Sequence, residues 1–128
     1  MWIKLWGSVT SYCTHRVLIT LNELGIKYNL TQVNLMKGDQ NMKDPAYIQE
    51  QHPFGRIPVS IHGDIQLFES RAICRYLVTK FGGPSSSLDA VVSGDPVNIG
   101  SFEKALSIDY SYFDPSVKAL CNEKLWKK

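Results

Sequence analysis

A chain of 128 residues with 44% apolar and 20% charged side chains has the makeup of a soluble globular protein. Its length allows a hydrophobic core without metal or disulfide support; its net charge of +2 is too small to argue for nucleic acid or an anionic membrane as a partner, and Lys124, Lys127 and Lys128 read as a solvated C-terminus. Cys13, Cys74 and Cys121 are odd in number and widely spaced, which excludes a disulfide framework and fits a reducing, cytoplasmic setting.

The segment Met1–Gly7 lacks the basic start and apolar run of a signal peptide. No stretch approaches the ~18 apolar residues that cross a bilayer. Trp2 to Trp6 alternates apolar and polar residues, as a strand does, and Gly7 ends it. Between Ser11 and Gly25, the positions Val17, Leu18, Leu21 and Leu24 recur at helical spacing, with the glycine as the stop. Alternation returns over Tyr28–Leu35, so strand, helix and strand form a βαβ unit with parallel strands.

Residues 36–51 are polar, carry Gly38 and Pro45, and read as a loop with a short irregular helix. Ile57–Ile61 and Ile65–Phe68 flank His62-Gly63-Asp64 in the manner of a hairpin. Ser70–Phe81 carries Ile73, Tyr76, Leu77 and Phe81 on one helical face and is closed by Gly82-Gly83-Pro84. The order β-α-β-α-β-β-α predicts an α/β domain over residues 1–82.

Residues 83–96, with their Ser85-Ser86-Ser87 run, read as a linker. Phe102, Leu106, Tyr110 and Phe113 then keep helical spacing, Asp114-Pro115 is expected to break the helix, and Val117, Leu120 and Cys121 begin another. Two amphipathic helices need cover for their apolar faces. Residues 97–128 therefore read as the start of an all-α domain that is incomplete here.

Three places carry chemistry. Ser11 stands between a strand end and a helix start, on the ligand side of a parallel sheet. It reads as a helix cap or as a hydroxyl that helps a helix N-terminus hold an anion. Pro58 opens a strand after the Pro53-Phe54-Gly55 turn; a cis bond there would expose the Ile57 backbone, although trans is the ordinary state of X–Pro. Glu69-Ser70 enters a helix, with Ser70 as its cap or with the pair binding the ammonium and carboxylate of an amino acid.

These segments occur in a telling order: Ser11 with Arg16-Val17, then Pro53-Phe54-Gly55-Arg56-Ile57-Pro58, then Gly63–Ile73 with its Phe68-Glu69-Ser70-Arg71-Ala72-Ile73 core. Together they resemble glutathione transferases, nearest the phi class of plants and fungi, over residues 1 to about 82 and again at Tyr112–Pro115. The resemblance implies a thioredoxin-like N-terminal domain in which Ser11 donates a hydrogen bond to the glutathione sulfur. It also implies a cis Pro58, backbone bonds from Ile57 to the cysteinyl part, and Glu69 and Ser70 at the γ-glutamyl end. Where the class has His-Lys this chain has Gln40-Asn41, so Lys43 is the expected replacement for the lost positive charge that meets the glycyl carboxylate. Arg56 stands where the class has Gln, and His52 where it has Asn.

A tyrosine-type transferase would need a phenol where Trp6 stands, and a cysteine-type enzyme a thiol where Ser11 stands. Cys13 lies roughly 200° around the helix from Ser11, Thr10 is the nearest substitute hydroxyl, and no Cys-x-x-Cys exists. Two functions stay open. One is a Ser-type transferase that uses glutathione, without metal, to conjugate hydrophobic electrophiles or reduce peroxides. The other is a non-catalytic module of the same fold that binds glutathione, hydrophobic ligands or a protein. The resemblance also implies a homodimer, in which Phe54 is a contact residue or else packs within its own chain.

Overall fold

The structure, a computed structural model, describes residues 2–34, 44–83 and 94–127. It divides into two compact units, Met1–Leu88 and Asp89–Lys128. The first contains β1 (Ile3–Gly7), α1 (Tyr12–Glu23), β2 (Tyr28–Gln32), α2 (Pro45–Glu50), β3 (Val59–His62), β4 (Ile65–Phe68) and α3 (Ser70–Phe81). This is the predicted β-α-β-α-β-β-α order. The sheet runs β2-β1-β3-β4, with β1 parallel to β2 and antiparallel to β3, and β3 antiparallel to β4.

Alternation along β1 sends Ile3 and Leu5 to one face, where both are fully buried against Val17 and Leu21 of α1 and Ile73 and Leu77 of α3. Leu18, Leu24 and Tyr76 pack at the margin of this cluster. Each such side chain contributes about 1.5–3 kcal/mol by leaving water. The helical stripes read from the sequence are thus the faces that meet the sheet. Trp6 points the other way and meets Tyr47 of α2 edge-on, with ring centroids 5.9 Å apart.

Helix α2 has six residues and depends on its ends. Asp44 caps it through a 2.9 Å bond from the Ala46 N–H, and Pro45 takes the first helical position. At the other end Gln66 Nε2 donates to the carbonyls of Glu50 and Gln51 at 2.7 and 2.8 Å. Strand β4 thereby satisfies backbone groups that so short a helix leaves open.

In the second unit α4 (Pro96–Ile108) begins on an Asp95 cap, passes through a π-helical turn (Asp109–Phe113) into α5 (Asp114–Cys121), and ends in a second π turn (Asn122–Trp126). The expected break at Asp114-Pro115 does not occur. Proline lacks the N–H that a helix interior needs and crowds the carbonyl four residues back. The wider turn absorbs that conflict: the Asp114 N–H reaches the Asp109 carbonyl, and Ser116 Oγ donates to the Tyr112 carbonyl at 2.9 Å. Among the described residues, no helix is long and apolar enough to cross a membrane.

Candidate functional site

The strand register gathers the predicted segments. Trp6 pairs with Val59, and Val59 pairs with Phe68. The end of β1, the start of β3 and the end of β4 therefore lie side by side at one edge. The Ser8–Ser11 loop, Ile57-Pro58 and Glu69-Ser70 leave from that edge. Because Gly7 also pairs with Gln32, the chain after β2 leaves there too.

Ser11 is buried, at 7% exposure, and caps α1 by accepting the Thr14 N–H at 3.3 Å. That bond uses a lone pair and leaves the hydroxyl proton available for donation. The capping role and the thiol-binding role are therefore compatible in one side chain. The loop around it is tightly tied: the Ser11 N–H reaches the Ser8 carbonyl at 3.0 Å, and Gln32 Nε2 donates to Ser8 Oγ at 3.0 Å. Thr10 shares a 2.9 Å hydroxyl contact with Ser8.

Thr14, which the sequence reading passed over, holds this loop. Fully buried, it accepts the Ser8 N–H on Oγ1 at 3.1 Å while giving its own N–H to Ser11. It packs so closely beneath Gly7 that a Cβ there would lie 2.5 Å from Thr14 Cγ2. The signal was a glycine at a strand end, seven residues before a threonine.

The Ile57–Pro58 bond is cis, as the resemblance implied and the residues by themselves did not. Pro58 is buried, Ile57 half-buried and Arg56 exposed. The Arg56 carbonyl accepts from Tyr47 Oη at 2.7 Å, and burial pushes that phenol up to about 12. Glu69, not Ser70, is the N-cap residue of α3; it makes no side-chain cap bond and stands at φ 70°, a conformation glycine favours. Ser70 is the first helical residue, is buried, and accepts from Arg16 Nη1 at 2.6 Å. Lys43 and Gln40-Asn41 lie outside the described residues.

His52 is the other residue whose weight the sequence did not convey. It is 1% exposed, stacks on Phe68 with centroids 4.6 Å apart, and lies below its ordinary pKa because of burial. Phe54 is 71% exposed, although its ring also meets His52 and Phe68 edge-on. Cys74 donates to the Arg16 carbonyl at 3.5 Å and burial raises its pKa, so it is poorly placed to act as a thiolate. No group of His, Cys, Asp and Glu among the described residues has the makings of a metal site.

A family profile described as the glutathione S-transferase N-terminal domain matches residues 1–79. A glutathione S-transferase of Arabidopsis thaliana is 45% identical over 125 residues, covering 97% of this chain and 56% of that protein. Poplar glutathione transferase F1 superposes with a TM-score of 0.84 at 29% identity, over 100% of this chain and 57% of that one. A glutathione S-transferase-I solved with lactoylglutathione bound gives 0.79 at 25% identity, over 98% of this chain and 56% of its own. The chain spans little more than half the length of these relatives. The profile takes in all four strands and the whole site edge, and the chain belongs to the glutathione S-transferase family, alongside relatives of its phi class.

Proposed function

We propose that this chain carries the glutathione half of a Ser-type transferase, with Ser11 as the residue that stabilises the glutathione thiolate. One observation carries the reading: the register of β1, β3 and β4 brings Ser11, Ile57 and Glu69-Ser70 to one sheet edge, where the Ser11 hydroxyl keeps a proton to donate. In this reading the Ile57 backbone pairs with the cysteinyl unit. Glu69 takes the γ-glutamyl ammonium, and Ser70 with the α3 N-terminus takes its carboxylate. Lys43 serves the glycyl end, and Arg56 is a further glutathione-binding residue.

A hydrogen bond to a charged group is worth about 1.5–3 kcal/mol. At ~1.4 kcal/mol per pKa unit, a thiol starting near 8.5 falls by about one to two units. Bound glutathione is then largely thiolate near neutrality. The thiolate attacks an electrophilic carbon held beside it, and the leaving group departs with the displaced electron pair. Peroxide reduction is the alternative use of the same nucleophile, and a homodimer is the proposed assembly.

A second reading is a non-catalytic module of this fold that binds glutathione and offers an apolar surface on its second unit, where Tyr110, Tyr112 and Phe113 are 66, 74 and 62% exposed. Immobilised glutathione separates the readings when combined with a turnover assay. Retention, elution by free glutathione and brisk conjugation of a chlorinated nitrobenzene support the transferase; retention without turnover supports the module. Ser11→Ala should keep most retention while losing the ultraviolet thiolate absorbance of bound glutathione. Survival of that absorbance would reduce Ser11 to a cap.

A further inference from the structure

The geometry points to His52 as a pH-gated positioning residue: its neutral imidazole holds the Pro53–Pro58 turn in the form that presents the Ile57 backbone, and protonation releases that turn. The inference rests on the role proposed above for Ile57.

His52 joins α2 to the turn through three bonds. Its N–H reaches the Tyr47 carbonyl at 3.1 Å, its carbonyl accepts the Gly55 N–H at 2.8 Å, and its ring Nδ1 accepts the Phe54 N–H at 3.2 Å. The last bond sets the protonation state. An imidazole accepts through Nδ1 when that nitrogen is bare, so the ring is neutral with its proton on Nε2. A proton added to Nδ1 removes the acceptor and sets two N–H donors face to face.

The surroundings make that event costly. The ring is 1% exposed and lies against Phe68 and Phe54, with centroids 4.6 and 6.0 Å away. The titratable and charged neighbours are Tyr47 on α2, Arg56 in the turn and Glu69 at the end of β4. Tyr47 stays neutral until about 12. Glu69 favours the imidazolium, Arg56 opposes it, and burial, the largest influence, keeps the ring neutral at physiological pH.

Protonation and ligand occupancy are therefore antagonistic. A proton on His52 loosens the turn that carries Ile57. Conversely, a ligand ammonium held by Glu69 neutralises the carboxylate that favours the imidazolium. By linkage the two effects are one coupling seen from two sides. An asparagine at this position would offer a carbonyl acceptor to the Phe54 N–H without a titration. The histidine thus adds acid sensitivity that the turn itself does not require.

The test uses the full chain and S-methylglutathione, whose blocked thiol removes the ligand's own thiol ionisation from the measurement. Calorimetry from about pH 8 to about pH 5 should show the affinity falling at least about fivefold as His52 takes up its proton. His52→Asn should bind with a flat profile over that range, and His52→Ala should bind weakly throughout. A second arm needs neither ligand nor variant: in NMR spectra of the free chain, the Phe54 amide should shift with the same midpoint as the His52 ring. S-methylglutathione should also lower that midpoint. A flat wild-type profile, the same slope in His52→Asn, or a Phe54 amide indifferent to the His52 titration would overturn the gate. Absence of binding at about pH 8 in wild type would instead sink the glutathione reading, and the Phe54 arm would still judge the gate.

Discussion

Arg16, five residues beyond the α1 cap, donates from Nη1 to the Ser70 hydroxyl at 2.6 Å. The bond spans 54 residues of sequence and ties the helix behind Ser11 to the helix behind Glu69. A charged hydrogen bond thus joins two of the segments at the site edge, in addition to the packing of their helices. Arg16→Met and Ser70→Ala should each destabilise the chain, and the double variant should lose less than their sum. The coupling expected from a denaturant double-mutant cycle is about 0.5–3 kcal/mol; additive losses would show that the bond contributes no net stability.

Thr14 should prove as sensitive as any core residue. Thr14→Val keeps the shape but removes the acceptor for the Ser8 N–H, a buried donor. Leaving it without a partner costs about 1–3 kcal/mol. Chemical denaturation reads that loss, and hydrogen exchange at the Ser8 amide should accelerate beyond what global destabilisation explains.

Glu69 holds a φ of 70° without a glycine's freedom. Such conformations cost of order 1–3 kcal/mol and persist where function or surroundings demand them. Glu69→Gly should relieve this strain, less the backbone freedom a glycine loses on folding. The expected result is equal or higher thermal stability together with weaker retention on immobilised glutathione. A variant that loses stability would show that Glu69 is held by contacts worth more than its strain.

At high pH the weak point is Tyr47. Its phenol ionises at about 12 in the fold instead of 10 because burial disfavours phenolate. The unfolded chain releases that proton first, so this contribution to stability is intact below about pH 10 and is lost as the pH rises towards about 12. Ultraviolet titration should show a late phenolate transition that is absent from Tyr47→Phe.

Periodicity made most of the first unit legible. Val17 and Leu21, and Ile73 and Leu77, lie on the predicted stripes, and α3 has the bounds Ser70–Phe81 that its pattern and its closing glycines indicate. What escaped depends on geometry that residue types do not encode. Nothing about a glutamate announces a positive φ, so the α3 cap was sought at Ser70, one residue too far along. A proline pattern reports the missing N–H but not the wider turn that can absorb it, which is why the helix through Asp114-Pro115 was unforeseen. The Pro58 isomer came from the family resemblance, since the general frequency of X–Pro bonds points the other way. The capping role of Ser11 was legible, since its place between a strand end and a helix start is where a cap stands, and the structure has it accept the Thr14 N–H.

The contact beneath Gly7 has a consequence for how this chain can change. A methyl group at position 7 would lie 2.5 and 2.9 Å from the Thr14 side chain, so even alanine there forces that side chain to shift. Alanine at 14 would make room but strip the Ser8 amide of its acceptor and unfasten the loop that carries Ser11. Serine at 14 sheds the crowding methyl and keeps the hydroxyl. The order in which these two positions can change is therefore set: the threonine yields first, to serine, and only then does position 7 gain room for a side chain.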